Sequence, residues 1–231
     1  MHLRFVSRRS RALLAVGAVA IGLVAAGCDP EPPPPPPPAP LVCDAPVGSY
    51  WGGVQVMGPC SQVSVQQIVD WWNRQSRPTY RASVPITELV TTYLEEGQAE
   101  GVRGDLAFMQ SIIETGWFSF GGRVPPEANN FSGLGATDGT SSYATFPDAR
   151  TGVRAQIQHL RAYADTTATS CTTPPLHNAC VDPRFNLVSP KGKAPTWNQF
   201  GGGVWASDLG YALKILGLYD SLLKTVDLPL A

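Results

Sequence analysis

From about residue 64 onward, apolar positions recur with a helical rather than a strand period. Behind Ser61 or Ser64, either of which can cap a helix, Ile68, Val69 and Trp72 share one face up to about Asn73. A second helix is expected from Thr87, with Leu89, Val90, Tyr93 and Leu94 as its apolar side. Asp105 is placed to cap a third, whose stripe of Leu106, Met109, Gln110, Ile113 and Trp117 follows helical spacing. Asp148 caps a fourth through Val153, Ile157 and Leu160, and Ser207 a fifth through Leu209, Leu213, Leu216 and Leu223. Two irregular stretches interrupt the pattern, Gly121 to Thr145 and Thr166 to Ala206, and the first contains only short strand-like pieces. Long irregular segments in a compact domain commonly line a binding site. The expected fold is mainly α, a helical domain with a small β-hairpin or loop lobe.

The amino terminus follows a different rule. Arg4, Arg8, Arg9 and Arg11 precede an uncharged apolar run from Leu13 to Gly27. That run is short for a spanning helix and has the layout of a secretory signal. It ends Ala25, Ala26, Gly27, Cys28, which resembles a bacterial lipobox with Ala25 where Leu is usual. The resemblance implies acylation of Cys28 and a membrane anchor, with an ordinary cleaved signal as the alternative. Seven consecutive prolines, Pro32 to Pro38, follow. Asp29 to Pro40 hold nine prolines in all, and such a stretch adopts polyproline II. About eleven residues at ~3.1 Å each make a semi-rigid spacer of roughly 35 Å. The expected organisation is a signal over 1–27, a linker over 28–42 and one domain over 43–231. The product would be exported and held at a membrane facing the wall or periplasm.

The formal net charge of −1 gives no basic footprint for nucleic acid. No internal repeat and no nucleotide-type glycine loop is present, so neither a nucleic-acid partner nor a cofactor is expected, and the chain reads as a monomer. With Cys28 assigned to the anchor, Cys43, Cys60, Cys171 and Cys180 remain. Four thiols outside the cytoplasm suggest two disulfides. Three pairings are open, of which the local ones, Cys43–Cys60 and Cys171–Cys180, are preferred. A metal site is not expected, because Cys-x-x-Cys spacing is absent and His159 and His177 are the only histidines past the signal.

The chemistry points to Glu114. It sits in the last turn of the third expected helix, just before Gly116, at the edge of the apolar stripe. Trp117, Phe118 and Phe120 follow it, and aromatic burial disfavours the charged form of a carboxyl. The partial negative charge of a helix C-terminus acts in the same direction. A carboxylic acid kept protonated near neutral pH can donate to a leaving alkoxide, as glycosidic cleavage requires. The handful of residues could equally make a solvated helix end.

A family resemblance adds to this. The segment Gln110 to Trp117, with Glu114, Thr115 and Gly116, resembles the "Q-x-x-x-E-[ST]-G-W" motif of the glucosaminidase family of peptidoglycan hydrolases. Asn129 to Ala136 resembles the family's "N-[LV]-F-G-[IV]-K"; Asn130 and Gly133 match, while Ser132 stands where Phe is usual and Gly135 where Lys is usual. Phe146 to Val153 resembles "F-x-x-Y-x-S-x-x-E-S" without its Tyr or Glu, and Tyr211 to Ile215 matches "Y-A-x-K-I". The resemblance runs over about residues 64 to 223. It implies a lysozyme-like fold and hydrolysis of the β-1,4 bond following N-acetylglucosamine in peptidoglycan strands, with Glu114 as the acid. It also implies that Trp117, Phe131 and Tyr211 face sugar rings and that Asn130 bonds an acetamido group. Trp117 and Phe131 have an equal claim to the core, and Asn130 to shaping a turn. A second carboxylate would come from Asp138, in a shortened loop, or from Glu127; otherwise the substrate's acetamido oxygen could serve. A muramidase or lytic transglycosylase, or a non-catalytic wall-binding lipoprotein, would share most of these features.

Overall fold

The computed structural model describes residues 53–58, 60–136, 142–171 and 178–228. Among the described residues five α-helices carry the fold: α1 (Val65–Asn73), α2 (Ile86–Glu100), α3 (Gly104–Thr115), α4 (Ala149–Ala164) and α5 (Tyr211–Lys224). Among the described residues, strand pairing is confined to two isolated bridges, Gln55 with Thr196 and Met57 with Val102. The fold is mainly α. The described part of the lobe between α3 and α4 consists of loop and a 3-10 turn at Pro126–Ala128, and residues 137–141 lie outside the described residues. Among the described residues no helix is long and apolar enough to cross a membrane.

Ser64, not Ser61, starts α1. Its Oγ accepts from the Gln67 N–H at 3.2 Å, and the Gln67 side chain accepts from the Ser64 N–H at 2.8 Å, a reciprocal capping box. Asp148 caps α4 by accepting from the Thr151 N–H at 2.7 Å. Two expected boundaries move. α5 begins at Tyr211 because Asp208 bonds the Gly210 N–H, a local turn that competes with helix. Leu209 then precedes the helix and is 85% exposed; Leu213, within α5 but off its packed face of Ile215, Leu216, Tyr219, Leu222 and Leu223, is 57% exposed. The third helix has Arg103 at its N-cap position, without a side-chain capping bond, and Asp105 already inside its first turn.

α3 lies at the centre, against α2, α4 and α5. Every residue from Gly104 to Ile112 is buried, so the helix has no solvent pole until its last turn, where Ile113 and Glu114 are partly exposed. α2 crosses it closely because Gly97 and Gly104 face one another: a Cβ on Gly97 would meet the Gly104 backbone, and one on Gly104 the Tyr93 carbonyl. Glu96, also buried, ties α2 to α4 through Arg150 and Arg154.

The start of α3 is fixed by Asp105, which is fully buried. Arg103 donates to both its oxygens, at 3.2 and 2.7 Å. The Tyr219 hydroxyl of α5 donates at 2.7 Å and the Gln62 N–H at 3.1 Å. Burial alone would raise this carboxyl; Arg103, with Tyr219 and Gln62, outweighs it and holds the group below the usual carboxylate range. Removing one partner of such a pair leaves an uncompensated buried charge. Asp105→Asn is therefore expected to lower the unfolding free energy by about 3–5 kcal/mol, and the apolar double variant Arg103→Met/Asp105→Leu by less. Urea titration of both compares them, and a larger loss in the double variant would contradict this account.

Candidate active site

Glu114 occupies the last turn of α3, and the chain beyond it turns back sharply. Gly116 ends the helix at φ 59°, and Trp117, Phe118 and Phe120 continue in the left-handed region at φ 62°, 54° and 53°. Non-glycine residues adopt this conformation only when their surroundings enforce it. Here the Phe118 N–H is held by Thr115 Oγ1 at 2.8 Å and the Trp117 N–H by the Ile112 carbonyl at 2.8 Å. Phe118, fully buried, packs on Phe108 with ring centroids 5.6 Å apart. The turn sends Trp117 back against Trp72 and Phe120 forward to the wall of a cleft.

That cleft is a cavity of about 310 Å³ lined by Glu114, Phe120, Arg123, Ser132, Gly133 and Trp205, among others. The loop forming its far wall reaches its position because Gly152 of α4 lets the Asn129 carbonyl approach where a Cβ would collide. Glu114 Oε1 accepts from Trp205 Nε1–H at 2.9 Å and also from the Tyr211 hydroxyl. Its other oxygen faces the opposite wall: a Cβ on Gly133 would stand 3.5 Å from Oε2.

Behind Tyr211 runs a buried chain of side chains whose direction is fixed at one end. Gln156 Nε2 lies 3.2 Å from the Ala107 carbonyl, which can only accept, so this atom is the amide nitrogen. The same nitrogen donates to Gln110 Oε1 at 2.8 Å, and Gln156 Oε1 accepts from the Tyr93 hydroxyl at 2.6 Å. Gln110 must then present Nε2 to Tyr211, at 3.0 Å. With its oxygen already accepting, the Tyr211 hydroxyl is left to donate its proton to Glu114. Burial pushes the Tyr93 and Tyr211 hydroxyls well above the ordinary phenol range, so both keep their protons.

The carboxyl of Glu114 is raised above the ordinary glutamate range. Burial is the cause, partly offset by the bonds from Tyr211 and Trp205, which favour the charged form. Since Oε1 already accepts two donors, a proton on this carboxyl belongs on Oε2, toward the cleft. The arrangement can hold a proton beside a bound molecule and deliver it.

The other expected site residues separate. Trp117 is not brought to the cleft; its ring packs 6.0 Å from Trp71 and 5.5 Å from Trp72. Phe131 is 1% exposed, against Tyr93, Phe118 and Phe120, and offers no face to a sugar. Asn130 borders the cleft, but its amide holds the loop, donating to the Leu134 and Ala144 carbonyls and accepting from the Leu134 N–H. Tyr211 is buried and meets Glu114 with its hydroxyl rather than a ligand with its ring. Glu127 is exposed on the 3-10 turn and does not line the cleft. Asp138, Cys28 and Cys43 lie outside the described residues. Cys171 is bonded to Cys180 with Cα atoms 5.4 Å apart, and Cys60 is also disulfide-bonded. No cluster of metal-ligating side chains occurs among the described residues.

Trp205 and Gln156 escaped the sequence reading. Trp205 stands in the run Gly201, Gly202, Gly203, Val204, Trp205, where a large aromatic among glycines is the one visible signal. Gln156 is a polar residue on the inward face of α4, where an apolar one would be ordinary.

Residues 90–224 match the family described as mannosyl-glycoprotein endo-beta-N-acetylglucosaminidase. An uncharacterized protein of Borreliella burgdorferi is 37% identical over 145 residues, 63% of this chain and 63% of its own. The chain thus spans less than two thirds of that relative's length. No solved structure matches the chain significantly. The family match takes in α3 from end to end, with Glu114, and also Trp205, Tyr211 and nearly all of the helices around them, so this chain belongs to the glucosaminidase family.

Proposed function

We propose that the chain hydrolyses the β-1,4 bond following N-acetylglucosamine in bacterial peptidoglycan, with Glu114 as general acid. The observation that carries this reading is the carboxyl itself: raised by burial, bonded twice at Oε1, open to the cleft at Oε2. In the proposed step Oε2–H protonates the glycosidic oxygen as the C–O bond breaks, and the resulting carboxylate is stabilised by Tyr211 and Trp205. The reaction also needs a group on the other side of the sugar. Glu114 is the single carboxylate among the described cleft residues. That group is therefore Asp138, two positions beyond the cleft-lining Ala136, or the substrate's own acetamido oxygen.

We further propose that Cys28 is acylated and that the proline run holds the domain away from a membrane, toward the wall. Support for this comes from the sequence alone.

Glu114→Gln should reduce clearing of purified sacculi by roughly 10²–10⁴-fold while the fold persists. The released fragments should carry reducing-end N-acetylglucosamine; reducing-end or anhydro-muramic acid would overturn the assigned bond, and equal clearing by variant and parent would remove Glu114 from the mechanism. The same variant has a stability signature. A glutamate raised in the folded state stabilises fully only below its unfolded value, about 4.3, and that contribution is lost as pH rises through the folded value. Glu114→Gln should accordingly melt higher than the parent at pH 7, with the gap closing toward pH 4.

Tyr211→Phe removes a bond that favours the ionised carboxylate, so it should move the alkaline limb of kcat to higher pH while lowering kcat by at least about tenfold. A limb that stays in place would show that Tyr211 does not govern this proton. Asp138→Asn separates the two partners: loss of turnover comparable to that of Glu114→Gln assigns Asp138, and near-normal turnover assigns the acetamido oxygen.

A further inference from the structure

The cleft does not end at Glu114. A second compartment of about 190 Å³ continues from it, sharing Ser132, Gly133, Ala136 and Trp205 and adding His159, Tyr163 and Arg184. We propose that this compartment is a subsite for a carboxylate-bearing substituent on the sugar beside the cleaved bond, with Arg184 as the group that binds it. The proposal rests on the glycan-hydrolysis reading above.

Three observations carry it. Ser132 Oγ, in a residue only 5% exposed, has no hydrogen-bond partner among the described residues although it sits at the seam of the two compartments. A buried hydroxyl left unpaired is costly, and a ligand at the seam would satisfy it. Among the described residues the Arg184 guanidinium makes no ion pair and no side-chain hydrogen bond, yet it lies close enough to Tyr163 to pull that phenol's proton affinity down against burial. A guanidinium with its fork of donors unoccupied suits a carboxylate. Finally, the position is preorganised. Gln158 Oε1 accepts from the Val181 and Asp182 N–H groups at 2.9 and 3.2 Å. Asp182 accepts from the Arg184 N–H at 2.8 Å and from His159 at 2.7 Å, so both its oxygens are already engaged. The Cys171–Cys180 bridge closes the loop just before this segment.

Trp205 and Tyr163 form the apolar side of the compartment, with ring centroids 5.1 Å apart, and Leu187 stands exposed at its rim. The pattern is one cation, one unpaired hydroxyl and an aromatic wall. It fits a sugar whose ether side arm ends in a carboxylate, or carries a peptide with carboxylates of its own.

The test measures binding on the Glu114→Gln protein, so turnover does not enter. Tryptophan fluorescence titration would compare stripped glycan strands with free lactyl carboxylates, the same strands methylamidated, and strands retaining stem peptides. The carboxylated strands should bind roughly tenfold tighter than the methylamidated ones. Adding Arg184→Gln should bring that ratio close to one, and Arg184→Lys should keep part of it; circular dichroism verifies that each variant is folded. An Arg184-dependent preference confined to strands with stem peptides would support the subsite and assign the carboxylate to the peptide. A ratio near one in the parent protein, or a ratio that survives Arg184→Gln, would overturn the subsite alone. Failure to bind any of the three glycans would instead overturn the glycan reading beneath it.

Discussion

Burial of α3 on every side from Gly104 to Ile112 is the constraint from which the rest of the molecule follows. A helix with no solvent face must find partners inside the protein for every polar group it carries. At its first turn Asp105 gathers Arg103, Tyr219 and Gln62 and so fixes α5 and the approach to α1. In its middle Gln110 requires both an acceptor and a donor, which α5 and α4 supply as Tyr211 and Gln156. At its last turn Glu114 reaches the edge of the core, where one oxygen is held and the other is free. The site is therefore the place where the buried polar network of α3 comes to the surface.

Burial and pairing have opposite effects at the two ends of this helix. Asp105 is more deeply buried than Glu114, yet its carboxyl is held low because a guanidinium lies in direct contact. Glu114 has only neutral donors, so burial prevails and the carboxyl rises. Two acids at the two ends of one helix thus differ in kind: one is a structural anion, the other a proton carrier. Burial by itself would not have told them apart.

What was legible in the sequence was local or carried by a motif. The Ser64 and Asp148 caps are interactions over three residues and follow from residue type alone. The apolar stripe of α3 predicted a helix but misled about its neighbours, because a helix buried on all sides has no meaningful stripe. Trp117 seemed to extend that stripe; the left-handed turn after Gly116 carries it off the helix instead, and its part beside Glu114 is taken by Trp205 from 91 residues away. Spacing places Leu209 and Leu213 on the apolar face of α5, yet Asp208 delays the helix past Leu209, and Leu213 falls off the packed face. Contacts such as Trp205 with Glu114, or Gln156 with Gln110, depend on how separate elements dock, and no single segment encodes them.

The Ala107 carbonyl sets the direction of every bond from Tyr93 to Glu114, and it belongs to the backbone. Substitution replaces side chains and leaves peptide groups where they are. Changes at Gln156 or Gln110 can sever the chain or slacken it, but an amide restored at either place would be oriented the same way again. The handedness of the proton arrangement at the cleft is in this sense inherited from the helix rather than from any one residue, and drift within the network can alter how strongly it acts without reversing it.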